Sequence, residues 1–85
     1  MRDLVFSNES WDEFEHWLKH DPKVVERILI LLEECRRNPF KGIGKPEPLK
    51  NNLSGCWSRR ITQRDRLVYQ VSSEAITVIQ LRYHY

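Results

Sequence analysis

Residues 56–83 read CWSRRITQRDRLVYQVSSEAITVIQLRY, and this stretch determines the fold class. It contains three β-rich runs, residues 56–62, 66–72 and 75–83, in which the side chains alternate between two faces. The gaps between the runs are only a few residues long, and gaps this short connect antiparallel neighbours. The stretch therefore predicts a small antiparallel sheet.

Two amphipathic helices are predicted before this sheet. The first spans residues 7–20, where Ser7 or Asn8 can cap its N-terminus and Ser10 with Glu13 has the spacing of a capping box. The apolar side chains of this helix fall on one face, with acidic residues on the other. The predicted apolar face consists of Trp11, Phe14, Trp17 and Leu18.

The second helix begins after a cap of its own. Asp21 is an N-cap residue followed by proline at the first helical position, and the helix runs to about Arg37. Its predicted buried stripe consists of Val25, Ile28, Leu29, Leu32 and Cys35. Residues 2–6 predict a short first strand. The fold class is therefore α+β, an N-terminal helical hairpin packed on one face of a small, mainly antiparallel β-sheet.

Length and composition narrow the class of protein. Eighty-five residues predict one domain, residues 1–85. The longest aliphatic run, residues 28–32, is far too short to span a bilayer, and no signal peptide is visible, so we expect a cytoplasmic protein. The two cysteines fit neither a metal-binding spacing nor a disulfide framework, and we expect two buried thiols.

The charge is distributed unevenly along the chain. Residues 1–35 hold four Lys/Arg and nine Asp/Glu, whereas residues 36–85 hold ten Lys/Arg and three Asp/Glu. The opposite signs either help the two halves to dock or give the second half a basic surface suited to a polyanion. Charge alone does not separate these two interpretations.

The candidate phosphate-binding arginines are Arg59, Arg60, Arg64 and Arg66. Arg59 alternates in step with the apolar Trp57 and Ile61. Arg60 and Arg66 alternate with short polar residues instead, so we expect them to share the face that the helices leave open. Guanidinium groups bind phosphate through a planar fork, although a solvated sheet face explains the same residues. Arg64, in the predicted turn at residues 63–65, is assigned to the solvent.

An acid and a histidine complete a set of candidate catalytic groups. Glu47 lies between two prolines that stiffen its backbone, although a lone glutamate in a loop is usually only a surface residue. His84 is the only histidine of the basic half. A base, a cation and an acid are the minimum set for RNA cleavage without a metal. The sequence has no acid cluster of the kind that holds Mg²⁺, so we expect no metal and no cofactor.

These residues occur in motifs that resemble a known family. The segments ESWDEFEHW, RRNPFKGIGKPEPLKNNLSGCWSRRIT, RLVY and the terminal RYHY are similar to the YoeB/Txe branch of the RelE/ParE toxin superfamily, almost end to end. The resemblance implies a RelE-like fold and a ribosome-dependent messenger-RNA endonuclease, the toxin of a type II toxin–antitoxin pair. It also implies a YefM/Axe-like antitoxin, the ribosome with its mRNA and a toxin homodimer as partners.

The resemblance also implies roles for individual residues. Glu47 takes the position of the general base, Arg66 that of the transition-state cation and His84 that of the general acid. Tyr85 belongs to the same site. The basic positions expected to contact phosphate are Lys50 and Arg60.

Two other functions stay open on the sequence. One is a ParE-like protein that poisons a topoisomerase by binding, with the same fold and no nuclease chemistry. The other is a non-catalytic basic module that binds nucleic acid or acts as a corepressor with an antitoxin. The joint presence of Glu47, Arg66 and His84 argues against the first, and the aromatic tail has no clear purpose in the second.

Overall fold

A computed structural model describes residues 1–83, and the predictions for His84 and Tyr85 lie outside the described residues. Within residues 1–83, no helix combines the length and the apolar character needed to cross a membrane. The elements follow in the order β1 (Asp3–Phe6), α1 (Asn8–His20), α2 (Pro22–Arg37), β2 (Glu47–Pro48), a 3₁₀ turn (Asn51–Leu53), β3 (Trp57–Arg60), β4 (Arg66–Val71) and β5 (Ala75–Gln80).

The strands form one mixed sheet in the order β1-β5-β4-β3-β2. The pairs β2–β3, β3–β4 and β4–β5 are antiparallel, whereas β1 pairs in parallel with β5. A parallel pair needs a long crossover, which the rest of the chain between β1 and β5 supplies. The predicted α+β class and mainly antiparallel sheet are confirmed. The prolines and glycines of residues 38–48 (NPFKGIGKPEP) predict a loop, and this prediction is wrong at its end, because Glu47–Pro48 joins the sheet edge as β2.

Both helix starts use the predicted N-caps. The Ser7 hydroxyl accepts a hydrogen bond from the Ser10 amide at 3.1 Å, and Asp21 accepts one from the Val24 amide at 3.4 Å. The predicted capping box of Ser10 and Glu13 is wrong. With Ser7 as the N-cap, these two side chains reach β5 and the residue after it: the Ser10 hydroxyl lies 2.8 Å from the Val78 carbonyl, and Glu13 accepts from the Leu81 amide at 2.7 Å.

The helices and one face of the sheet enclose the main core, and we call this face of the sheet the inner face. The fully or almost fully buried core residues include Trp17, Val24, Ile28, Leu31, Leu32, Cys35, Leu67, Tyr69, Ile76, Val78 and Leu81. The predicted helix stripes are partly wrong. Trp11, Leu18 and Leu29 are 46%, 52% and 52% exposed, because only a narrow stripe of each helix reaches the sheet. Successive helical residues are rotated by about 100°, which turns position 29 away from the stripe that contains position 28.

The opposite face of the sheet, which we call the outer face, is only partly open. Leu49, Cys56 and Val68 form a second small cluster there, with Leu53 and Ile79 packed against it. The chain between β2 and β3 therefore covers one part of a face that the sequence predicted to be open. Both cysteines are free and buried, one in each cluster, as expected.

Candidate active site

Three of the predicted site residues share the outer face of the sheet. Arg60 on β3 is the direct partner of Arg66 on β4, and Glu47 on β2 is the direct partner of Ser58 on β3. Direct partners point to the same side of a sheet, and so do residues two apart along one strand. Glu47 is thus a diagonal neighbour of Arg60, at about 7–8 Å between Cα atoms. The structure brings one carboxylate and two guanidinium groups to one face.

The turn before β4 fixes the Arg66 side chain. Its Nη1 donates to the carbonyls of Thr62, Gln63 and Asp65 at 2.9, 3.2 and 3.1 Å. The side chain is half-buried, and three carbonyls hold one end of the guanidinium. An arginine held in this way loses little further freedom when it binds an anion.

Arg60 differs from Arg66 in that its side chain is exposed, while its backbone is well held. The Arg60 amide donates to the Gly44 carbonyl at 2.7 Å, and Arg27 donates to the Arg60 carbonyl at 3.1 Å. Two like charges directly opposite each other on neighbouring strands are destabilising. An anion bound between Arg60 and Arg66 would remove this repulsion, so the pair is suited to phosphate.

Lys50 lies on the same side of the molecule as Glu47. The two residues line one shallow depression of about 280 Å³ together with Pro48, Leu49 and Asn51. Leu49 anchors the segment, because its side chain is buried and its amide donates to the Cys56 carbonyl at 2.9 Å. The exposed Lys50 then caps the 3₁₀ turn Asn51–Leu53. The predicted phosphate-binding lysine therefore stands close to the predicted base.

The last described residues approach the site along α1 and the turn before β4. Trp17 Nε1 donates to the Leu81 carbonyl at 2.9 Å. The Tyr83 amide donates to Asp65 Oδ1 at 2.7 Å, and the Tyr83 carbonyl accepts from the Arg66 amide at 2.9 Å. Residue 83 is therefore bonded directly to the backbone of the predicted catalytic arginine. The predicted acid His84 is the next residue in the sequence, and it lies outside the described part of the chain together with Tyr85.

Two residues of this region were missed by sequence reasoning. Asp65 was read only as part of a turn, yet it is 3% exposed and holds Tyr83. Arg59 is fully buried on the inner face, and its guanidinium bonds to the loop that leads to Glu47. The signal for Arg59 was its alternation in step with Trp57 and Ile61, which places a charged residue on an apolar face.

Arg64 is exposed in the turn as predicted, but it also contacts Tyr83. Arg64 is exposed, as expected for a solvated turn. Its guanidinium also lies 5.8 Å from the centre of the Tyr83 ring, where a cation and an aromatic ring attract each other. Arg64 is therefore not independent of the last described residues.

Burial controls the protonation of two groups in the main core. Burial raises the pKa of the Cys35 thiol to about 11 and that of the Tyr69 hydroxyl to about 12. Burial alone would lower the pKa of Arg59, but the hydrogen bond to Tyr69 and the neighbouring groups raise it above its ordinary value. Thiol and phenol are thus neutral, and the arginine charged, at neutral pH. Across residues 1–83, no three His, Cys, Asp or Glu side chains form a group that could hold a metal ion.

The chain is similar to known proteins over nearly its whole length. The model of the YoeB-like toxin of bacterial type II toxin–antitoxin systems matches residues 6–85. Toxin YoeB of Escherichia coli K12 is 51% identical over 82 residues, which cover 96% of this chain and 98% of that protein.

Solved structures give the same result. A YoeB/ParE toxin from Agrobacterium tumefaciens superposes with a TM-score of 0.94 at 48% identity, covering 98% of this chain and 99% of that one. YoeB from Staphylococcus aureus has been solved as a dimer, with a TM-score of 0.92 at 40% identity and coverage of 99% and 98%. It has also been solved in a YoeB–YefM complex, with a TM-score of 0.91 at 38% identity and coverage of 100% and 99%. The motifs, the fold and these matches together show that this chain belongs to the YoeB-like toxins of bacterial type II toxin–antitoxin systems.

Proposed function

We propose that this toxin is a ribosome-dependent messenger-RNA endonuclease that stops translation by cutting the transcript. The observation that carries the proposal is the arrangement of Glu47, Arg60 and Arg66 on the outer face of the sheet. A carboxylate beside two guanidinium groups can take a proton from a nucleophile and stabilise a phosphoryl group under attack. A protein that acts by binding alone has no need of a carboxylate in a phosphate-binding face.

The proposed reaction uses the 2′-hydroxyl of the RNA as the nucleophile. Glu47 takes the proton of this hydroxyl, and its oxygen attacks the adjacent phosphorus in line with the departing 5′-oxygen. Arg66 balances the negative charge that builds on the phosphoryl oxygens, with help from Lys50 and Arg60. The substrate supplies the nucleophile, so this route requires neither metal nor cofactor.

The terminal residues complete the proposed chemistry. His84 donates a proton to the 5′-oxygen as it leaves, and Tyr85 orients that proton or the phosphate. In support, Tyr83, which directly precedes His84, accepts a hydrogen bond from the Arg66 amide. The last described residue is thus bonded to the backbone of the proposed transition-state arginine.

The shape of the site supports the dependence on the ribosome. The depression at Glu47 and Lys50 measures about 280 Å³ and is open to solvent. An open depression contacts a flexible RNA strand on one side only, so we expect another partner to hold the strand in line for attack. We propose that the ribosome presents the strand in the required geometry, and hence that the toxin acts in the cytoplasm.

The relatives support two further partners. A Staphylococcus aureus YoeB forms a dimer and also a complex with YefM. We propose a YefM/Axe-like antitoxin and a toxin homodimer for this chain as well. The cationic half of the sequence suits an acidic, disordered antitoxin segment that folds on binding.

The test is cleavage of a matched pair of transcripts. Purified toxin is added to a reconstituted translation system with one mRNA and with the same mRNA lacking its start codon, and fragment ends are mapped. Cleavage confined to the translated transcript is the expected result. Equal cleavage of both transcripts would contradict ribosome dependence, and no cleavage of either would contradict the nuclease function.

A further inference from the structure

The inner face of the sheet contains one charged side chain that the proposed chemistry does not use. Arg59 has no exposed surface, and all its nitrogens donate hydrogen bonds. Nε donates to the Tyr69 hydroxyl at 3.1 Å, and Nη1 to Glu34 at 3.2 Å. A buried arginine with so many partners is costly to desolvate, and an apolar side chain could fill the same volume. The hydrogen-bond partners of Arg59 therefore indicate its role.

Most of these partners belong to one loop. Arg59 donates to the carbonyl of Asn38, to that of Lys41 at 2.9 Å and to that of Ile43 at 3.1 Å. Three carbonyls within six residues thus converge on one guanidinium. This loop, residues 38–44, has no regular structure of its own, so Arg59 replaces the hydrogen bonds that a helix or strand would supply.

Side chains around Arg59 hold the same loop. The Tyr69 hydroxyl donates to the Pro39 carbonyl at 2.6 Å, and Glu34 accepts from the Ile43 amide. The loop packs so closely that a Cβ at Gly44 would lie 2.8 Å from Leu31 and 3.1 Å from the Arg59 Cβ, and one at Gly42 would overlap Glu34. Both glycines have positive φ, +115° at Gly42 and +81° at Gly44, where other residues are strained.

The end of this loop leads directly to Glu47. The Gly44 carbonyl accepts from the Arg60 amide at 2.7 Å, and three residues later Glu47 pairs with Ser58. Pro46 and Pro48 limit the conformations available over this short distance. Only two residues therefore separate the loop that Arg59 holds from Glu47.

We propose that Arg59 is a positioning residue for the general base. Through the loop of residues 38–44 it sets the distance between Glu47 and the scissile ribose, without touching the RNA. The inference rests on the nuclease function proposed above. A misplacement of about 1 Å can lower a rate by about a hundredfold, so the effect belongs in kcat rather than in substrate binding.

The first variant is Arg59→Lys, which keeps the charge and loses the fork that joins Tyr69, Glu34 and the loop. The second variant is Glu34→Ala, which releases the loop at Ile43 and leaves the arginine in place, and it decides the question if Arg59→Lys does not fold. The matched control is Arg36→Lys. Arg36 is a partly buried arginine only two residues before the loop, but its side chain bonds to the Arg2 carbonyl at 2.7 Å and to Glu33 rather than to the loop.

Two measurements are made on each folded variant. The first is kcat and KM for cleavage of mRNA on programmed ribosomes, and the second is the set of backbone amide chemical shifts. We expect kcat to fall about tenfold to a hundredfold with little change in KM, and shifts to move at residues 38–49. Arg36→Lys should leave kcat and the amide shifts of residues 45–49 unchanged. Unchanged amide shifts at residues 45–49, or unchanged kcat, in a folded Arg59→Lys or Glu34→Ala protein would overturn the proposal.

A third variant separates this proposal from the one on which it rests. Glu47→Gln removes the proposed base and leaves the loop intact. Full cleavage by Glu47→Gln would overturn the role of Glu47 as base, and the amide shifts of residues 45–49 would then still decide whether Arg59 positions this segment. Loss of cleavage by Glu47→Gln with normal kcat in the Arg59 and Glu34 variants would overturn only the positioning role.

Discussion

Arg59 and Arg60 are neighbours on β3 and face opposite environments. Arg59 is fully buried on the inner face and binds a loop, a tyrosine and a glutamate of its own chain. Arg60 is exposed on the outer face, directly opposite Arg66. Successive side chains of a strand point to opposite faces, so of these two adjacent arginines one is structural and the other can bind an external anion. The inner face holds the molecule together, and the outer face is where the proposed chemistry takes place.

Removal of the buried Arg59 should produce the largest change in stability. Arg59→Ala removes the ion-pair partner of Glu34 and the shared donor of three loop carbonyls, and it should lower the free energy of unfolding by about 3–5 kcal/mol. Urea unfolding followed by tryptophan fluorescence measures this. A loss below about 1 kcal/mol would mean that water or a rearranged loop satisfies these groups, and the contrast between the two faces would disappear.

Removal of the proposed catalytic groups should act on the rate and hardly on the fold. Glu47→Ala, Arg66→Ala and His84→Ala should each lower the cleavage rate about a hundredfold or more, which corresponds to about 2.7 kcal/mol of barrier. Toxicity on induction without antitoxin should disappear with it. The three Nη1 bonds of Arg66 predict an additional stability loss of about 1 kcal/mol for that variant alone.

The control for these variants is Arg37→Ala. Arg37 is exposed at the end of α2, whereas Arg64 contacts Tyr83 and is a poorer control. Arg37→Ala should leave both rate and stability within the error of measurement. If the three site variants stay toxic, or lose toxicity only because they unfold, the assignment of the outer face to catalysis is wrong.

High pH should lower the free energy of unfolding of the wild type, because two buried groups of the main core are neutral in the folded protein. The ordinary pKa of the Cys35 thiol is 9.0, and burial raises it to about 11 in the folded protein. The unfolded state therefore loses its proton first, so the stability is complete below pH 9 and falls as the pH rises through about 11. The pKa of Tyr69 is raised from 10.0 to about 12, so this residue extends the loss of stability to higher pH. Unfolding midpoints from pH 8 to 11 test this, and a flat profile for the wild type would show that Cys35 reaches solvent.

The smallest effect is expected for the outer arginine. Arg60→Gln removes the repulsion with Arg66, so its free energy of unfolding should stay within about 0.5 kcal/mol of the wild type, on the stabilised side. Added phosphate should raise the unfolding temperature of the wild type more than that of Arg60→Gln, because an anion bound by both arginines stabilises the folded state. A destabilised Arg60→Gln would show that Arg60, like Arg59, is part of the structure.

The sequence predicted much of this arrangement, because alternation places residues on faces. Arg60 and Arg66 were assigned to one face by their polar neighbours, and the sheet pairs them directly. The placement of Glu47 beside them was not predictable from periodicity, since β2 is only two residues long. Leu29 was assigned to the core because it is apolar, yet helix geometry leaves it 52% exposed.

The role of Arg59 was the most difficult to foresee. Charged side chains are rarely buried unless they are paired, and the pairing partners of Arg59 come from α2, β4 and a loop far away in the sequence. Pattern reasoning reads one strand at a time and cannot see such a convergence. The roles of His84 and Tyr85 stay predictions.

The most direct test of the account is the chemical identity of the new 5′ end on the downstream RNA fragment. If Glu47 activates the 2′-hydroxyl on the outer face, the upstream fragment ends in a 2′,3′-cyclic phosphate or its hydrolysed form, and the downstream fragment begins with a 5′-hydroxyl. Fragments from programmed ribosomes are labelled with a kinase, with and without prior phosphatase treatment. Full labelling without phosphatase is the expected result. A 5′-phosphate, labelled only after phosphatase treatment, would mean that water was the nucleophile and would contradict the mechanism.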